Sequence, residues 1–180
     1  MSATTLSAVC LNSSNPTMLN FRSLWTWRHI SPLPFDTSSI SLPPAILRTT
    51  TSSSIWGSGL GHVPLLVSIL TGIRTSGVER QPSFVATAQE CAWRLNLQRV
   101  QFVANDARLA DLSSGTVFYL YTPFSGVILT DVLERIRRQS INRAIRICSL
   151  GPCTRVLARQ GWLKPSARRY PGRIAVFTSR

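Results

Sequence analysis

The sequence predicts an α/β chain built on a doubly wound, mostly parallel sheet. Three observations carry this expectation. Strand-like apolar runs at 73–79, 100–104, 116–121, 144–150 and 173–178 alternate with segments of helical apolar spacing. Three alternate glycines, Gly57, Gly59 and Gly61, stand directly before the first helical segment. The run TVFYLY at 116–121 is almost continuously apolar, as in a strand buried on both faces of a parallel sheet.

Each element has a local reason. Residues 60–71 read as a helix: Pro64 falls in the first turn, where proline is tolerated, Leu65, Leu66, Ile69 and Leu70 form an apolar face, and Gly72 ends it. Residues 73–79 form the next strand. Gln81-Pro82-Ser83 opens a helix to about residue 96, with Phe84, Val85, Ala88, Cys91, Ala92 and Leu95 at helical spacing. The strand 100–104 ends at Asn105-Asp106, and the strand 116–121 runs into Thr122-Pro123-Phe124-Ser125-Gly126.

In the helix 127–139, Ile128, Leu129, Val132, Leu133 and Ile136 turn inward. Asp131 with Arg135 and Glu134 with Arg138 are spaced as surface ion pairs, worth a few tenths of a kcal/mol each. A strand at 144–150 and a short helix at 151–160 follow, with Trp162 and Leu163 placed to cover the sheet. The strand 173–178 is expected antiparallel at the edge.

Residues 1–54 have a different character, and the folded domain is expected over 55–180. Twenty of the first 54 residues are Ser or Thr, Asp36 is the only acid, and Pro16, Pro32, Pro34, Pro43 and Pro44 interrupt any periodicity. The segment reads as irregular or disordered. Its serines and scarce acids are compatible with an organellar targeting peptide, but no amphipathic helix supports that. The polar run 49–54 is a poor buried strand, so the first strand of the sheet is expected to be missing or defective. One choice of codons for Ser52 to Trp56, read two bases later, encodes Phe-Ile-Asp-Leu directly before Gly57. Residues 1–56 then read as out-of-frame translation.

The net charge of +13 rests almost wholly on arginine, Lys164 being the single lysine. A field of this size attracts acidic partners such as nucleic acid, acidic protein surfaces or anionic lipid. Because the arginines are distributed along the chain, the excess reads as compositional; the densest clusters are Arg135, Arg137, Arg138 and Arg168, Arg169, Arg173. Cys10, Cys91, Cys148 and Cys153 form no CxxC pair, and only His29 and His62 are available to join them, so no metal site is expected. Cys91 and Cys148 read as reduced core residues. No run reaches the length of a membrane span. A cytoplasmic setting, without membrane association, fits these features.

The stretch from Ile55 to Glu79 carries the chemistry. Alternate glycines let backbone turn tightly and approach a ligand, because no Cβ intervenes. The helix behind them directs unbonded N–H groups and its positive end to the same place. Glu79, an acid about twenty residues on, suits bonding to ribose hydroxyls. The dinucleotide pattern G-x-G-x-x-G needs glycine at 62, where the chain has His62. Asp106 ends a parallel strand and faces the same crevice, placed to accept a bond from an adenine amino group.

GSGLG at Gly57–Gly61, the following helix, GVE ending at Glu79, and the strand ending at Asp106 together resemble the seven-strand S-adenosylmethionine-dependent methyltransferases. Within them the chain looks most like the non-SET protein-lysine type that modifies the histone core, and its bacterial relatives. The similarity covers roughly residues 55–160. It implies a Rossmann-like fold and S-adenosyl-L-methionine as cofactor. Gly57, Ser58, Gly59 and Gly61 would hold its methionine part, Glu79 the ribose and Asp106 the adenine. Tyr121, Thr122, Pro123 and Phe124 would form the methyl-transfer mouth, with an aromatic able to attract the sulfonium.

The implied acceptor is a protein side chain or a small molecule. The pattern is incomplete: the acid expected before the glycine loop is absent, since Trp56 stands where a leucine would follow an aspartate. The fourth-strand loop reads YTPF rather than the asparagine-containing form of the histone enzymes. A catalytically impaired remnant of the fold and a basic nucleic-acid-binding module are the alternatives. The out-of-frame reading predicts that another frame across codons 45–60 encodes an apolar strand ending in an acid. Sequencing the gene there checks it, and two frames lacking such a strand would refute it.

Overall fold

The computed structural model describes residues 51–121, 124–166 and 174–180. Eleven elements occur among them. They are β1 (Ser52–Trp56), α1 (His62–Thr71), β2 (Arg74–Glu79), α2 (Pro82–Arg94), β3 (Val100–Ala104), β4 (Val117–Tyr121), α3 (Gly126–Ser140), β5 (Arg146–Leu150), α4 (Cys153–Leu157), β6 (Leu163–Pro165) and β7 (Ala175–Ser179). The seven strands form one sheet in the order β3-β2-β1-β4-β5-β7-β6. β1 to β5 are mutually parallel, whereas β7 runs antiparallel to both β5 and β6. The expected doubly wound sheet is thus present, with one change at its end: β7 lies inside the sheet and the three-residue β6, which contains Leu163, forms the edge.

The first strand, expected to be missing or defective, is present as translated and occupies the sheet's centre. Ser53 and Ser54 are buried in it. Three serines tolerate that position because β1 is bonded on both sides, to β2 and to β4, so its backbone polar groups are satisfied. Side-chain hydroxyls are also used: Ser54 Oγ accepts the Trp56 indole N–H at 2.9 Å, and the Ser52 amide donates to Thr116 Oγ1 at 3.2 Å. The sheet therefore begins within the stretch assigned to the irregular segment.

Alternation along the strands separates two apolar layers. On one face, Trp56, Phe118, Leu120 and Ile147 pack with Leu129, Val132, Leu133 and Ile136 of α3 and with Leu157 of α4. On the other, Phe102 packs with Leu65 and Leu66 of α1 and Ala88, Cys91 and Ala92 of α2. Ile55, Val117, Tyr119 and Cys148 continue that second face toward β5. Cys148 is fully buried, which pushes its thiol up to about 12. Cys91 is buried too, but as half of a disulfide rather than as the expected free thiol. No helix among the described residues is long and apolar enough to cross a membrane.

Trp56 is the largest fully buried side chain among the described residues, and its ring meets Phe118 edge-on at 5.5 Å. Removing it would leave a cavity beneath the central strand. Trp56→Ala is expected to lower unfolding free energy by about 3–5 kcal/mol, measured by urea denaturation.

Candidate cofactor site

In an open parallel sheet, ligands gather at the carboxyl edge where the strand order reverses. Here that point lies between β1 and β4. The loop after β1 and the tips of β2 and β3 are drawn together by main-chain bonds. The amides of Gly57 and Ser58 both donate to the Val78 carbonyl, at 2.9 and 3.1 Å, and the Asn105 amide donates to the Glu79 carbonyl at 3.0 Å.

The glycine loop needs its glycines for two separate reasons. Gly57, Gly59 and Gly61 all have positive φ, at 68°, 54° and 83°, a conformation that side chains disfavour. At Gly61 there is also no room: a Cβ would stand 2.6 Å from the Phe102 ring. Gly77 on β2 is excluded from having a side chain in the same way, at 2.4 Å from Phe102 and 2.8 Å from Ser58 Oγ. By contrast, a Cβ at Gly59 would meet nothing within 4 Å. The loop is thus packed hard against the sheet on one side and open at Gly59.

Glu79 is the organiser of this loop. Its Oε2 accepts the Gly59 amide at 3.0 Å, while Oε1 accepts the amides of Arg80 and Gln81 at 2.8 and 3.0 Å. A carboxylate that accepts three backbone N–H groups is held in one place, with lone-pair capacity remaining on Oε2. Gly61 then caps α1, with no side chain bonded to its first turn, so the helix start offers N–H groups toward the same loop. His62, standing where a dinucleotide motif has glycine, is the first residue of α1, and burial lowers its pKa.

Two predicted residues sit differently from expectation. Ser58 turns its hydroxyl inward toward Gly77, buried and without a hydrogen-bond partner, so the loop presents backbone outward at that position. Asp106 lies at the expected tip of β3, but its carboxylate is engaged by Arg108. The Arg108 Nη2 meets Oδ2 at 2.7 Å, and its Nε and amide reach Oδ1 at 3.0 and 2.8 Å. These bonds, the side-chain pair first, hold the Asp106 carboxyl down at about 2. The pair remains partly exposed at the surface.

The segment that carries Asp106 is fastened by an arginine that sequence reasoning assigned to an ion pair. Arg135, expected to meet Asp131, donates to the carbonyls of Ala107, Arg108 and Ala110. Arg143 does the same for Leu112 and Ser113. The expected Glu134–Arg138 pair is present at 3.4 Å, joined by Arg137 at 3.2 Å. Carbonyl groups left unbonded by a loop without helix or strand cannot be read from side-chain spacing, which explains why these two arginines escaped notice.

Around the fourth-strand loop, Thr122 and Pro123 lie outside the described residues. Tyr121 packs against the cluster of Ile55, Val117, Tyr119 and Cys148 on the face carrying α1, whereas Phe124 packs against the cluster under α3. The structure therefore places these two rings against opposite faces of the sheet rather than in one lining. Among the described residues no group of His, Cys, Asp or Glu is arranged to hold a metal ion.

Comparison with known proteins gives the fold a name. No protein-family model matches the chain, and no curated protein does. Solved structures do. The RNA methyltransferase from Salinibacter ruber, crystallised with S-adenosyl-L-homocysteine, is similar over 82% of this chain and 92% of its own, with 19% identity and a TM-score of 0.57. A mutant of MtNAS is similar over 96% of this chain and 67% of its own, with 13% identity and a TM-score of 0.62. The geranyl diphosphate C-methyltransferase from Streptomyces coelicolor, also holding S-adenosyl-L-homocysteine, matches 57% of this chain with 16% identity and a TM-score of 0.51. This chain spans only 38% of that enzyme, and 55% of the MtNAS mutant in its complex with S-adenosylmethionine. The sheet order and these likenesses identify the fold as the seven-strand, Rossmann-like methyltransferase fold.

The Asp106–Arg108 contact makes a pH prediction. The folded-state pKa of about 2 lies below the ordinary carboxylate value of 3.8, so this pair stabilises the loop above pH 4 and is lost as pH falls toward 2. An NMR titration is expected to find Asp106 ionised until about pH 2 in the parent chain and titrating at higher pH in Arg108→Ala, which loses the guanidinium bonds but keeps the residue-108 amide bond.

Proposed function

We propose that this chain is an S-adenosyl-L-methionine-dependent methyltransferase. The observation that carries the reading is the Glu79 carboxylate bonded to the Gly59 amide, beside the open side of a positive-φ glycine loop. The residues fit the cofactor. Gly57, Gly59 and Gly61 give backbone close approach to a methionine moiety, and Ser58 contributes through its main chain. Glu79 has acceptor capacity left for ribose hydroxyls. Asp106 faces the adenine end, where ligand entry would exchange its Arg108 contact for the exocyclic amine. When bound, the cofactor supplies a methyl group on an electrophilic sulfonium. The chain's own contribution is to hold that group in line with the acceptor and to exclude water. Tyr121 and Phe124 would border the acceptor side from different faces, and the same role for Thr122 and Pro123 rests on the sequence resemblance alone.

The acceptor that the sequence resemblance favours is a protein side chain, lysine above all, with a small molecule as the alternative. The solved neighbours support no single class: one acts on RNA and another on geranyl diphosphate. A second reading is favoured by two specific features. Ile55 and Trp56 stand where the acid before the glycine loop is expected, and both are fully buried in apolar surroundings. Asp106 is already paired. Both features fit a chain that keeps the fold but binds cofactor poorly.

Isothermal titration with S-adenosylhomocysteine separates the two readings. Micromolar binding is expected, weakened about 10- to 100-fold in Glu79→Ala through loss of charged hydrogen bonds. Gly59→Arg is expected to abolish it, because the new side chain fills the open side of the loop. No heat of binding from a folded parent chain would favour the impaired remnant.

A further inference from the structure

The positive charge of this chain is not spread evenly once acids are counted with bases. Residues 135–180 contain twelve Arg or Lys and no Asp or Glu. Residues 51–134, which hold the candidate cofactor site, contain five bases and six acids. The bases are thus denser at this end, with twelve in the last 46 residues against eight in the first 134.

Five of these bases, Arg146, Arg155, Arg159, Lys164 and Arg180, stand on or beside the β5-β7-β6 end. Arg146 on β5 and Lys164 on β6 are both register partners of Thr178 on β7. They therefore project from the same face of the sheet, about 10 Å apart across one intervening strand. Arg180 follows two residues after Thr178 and shares its parity. On the opposite face, Arg155 and Arg159 are exposed on and just after α4. Cations thus stand on both faces of the β5-β7-β6 end and along its edge, and Lys164, Arg155, Arg159 and Arg180 are exposed.

We propose that the β5-β7-β6 end is a docking surface for nucleic acid, tracked by its phosphate backbone. Four of the five bases placed there are arginine, whose planar fork matches phosphate oxygens in pairs. Their placement on two faces and an edge suits a flexible polyanion that wraps the rim. A lipid bilayer, being planar, reaches one side at a time. Among the described residues this end has no exposed aromatic side chain, so recognition is through charge and independent of base sequence. It lies beyond β4 from the glycine loop, and the proposal does not depend on the cofactor reading.

The test is fluorescence anisotropy of a labelled single-stranded RNA of about 30 nucleotides with the full chain, at several salt concentrations. Affinity is expected to fall about 100-fold between 50 and 200 mM salt, as for about five phosphate contacts. The triple variant Arg159→Glu/Lys164→Glu/Arg180→Glu is expected to bind at least about tenfold more weakly, with a salt slope shallower by about 2. Circular dichroism checks that the variant is folded. Arg74→Glu, at the far part of the sheet, is expected to bind RNA like the parent. Equal binding by the folded triple variant would overturn the proposal. So would salt-independent binding, or binding to phosphatidylserine vesicles under conditions where RNA is not bound.

Discussion

The carbonyl of Val78 and the carboxylate of Glu79 together hold the first loop of this fold in shape. Two consecutive amides, those of Gly57 and Ser58, converge on one carbonyl, and a third, that of Gly59, is taken by the adjacent side chain. A loop with three positive-φ glycines has wide conformational freedom, and ordering it costs correspondingly more entropy. Fastening it to the tip of β2 removes that freedom where a ligand would need rigid backbone. The same tip takes the Asn105 amide, so three strand ends are tied together by main-chain bonds. Glu79 is then a structural group first, and its ligand role is possible because the structural role leaves acceptor capacity over.

This arrangement depends on packing one layer below. Gly77 and Gly61 leave the space that Phe102 fills, and Phe102 in turn joins α1 and α2 to the sheet. Beneath the other face, Trp56 and Phe118 pack edge-on. The central strand is polar in sequence but apolar in consequence: its serines lie within a bonded ladder, and its last two residues contribute Ile55 to one layer and Trp56 to the other. Small buried hydroxyls with partners cost little, whereas the same residues unbonded would not hold a central strand.

Much of this was legible from the residues because it follows from periodicity. The alternation of strand and helix, the helix faces of Leu129 to Ile136, and the cluster of Gly57, Glu79 and Asp106 at one sheet edge all follow from local spacing. What escaped has a physical reason in each case. Ser52 to Ser54 were unrecognisable as a strand because their burial is conferred by both neighbouring strands. Helical spacing offers Arg135 a partner at i−4, but loop carbonyls 25 to 28 residues away take it instead. Arg108 lies two residues from Asp106 and folds back on it, a contact that depends on the turn's geometry. The separation of Tyr121 from Phe124 follows from strand parity interrupted by a loop.

The division of charge sets the two halves of the molecule apart: the half that holds the glycine loop is nearly neutral, and the other is strongly basic. The central claim, however, concerns the loop and the strand tips beside it. Amide hydrogen exchange with and without S-adenosylhomocysteine addresses it residue by residue. New protection at residues 57–63, 79–81 and 105–108, with the rest of the sheet unchanged, is the predicted result. Protection elsewhere, or none at those three strand tips under saturating ligand, would contradict the account.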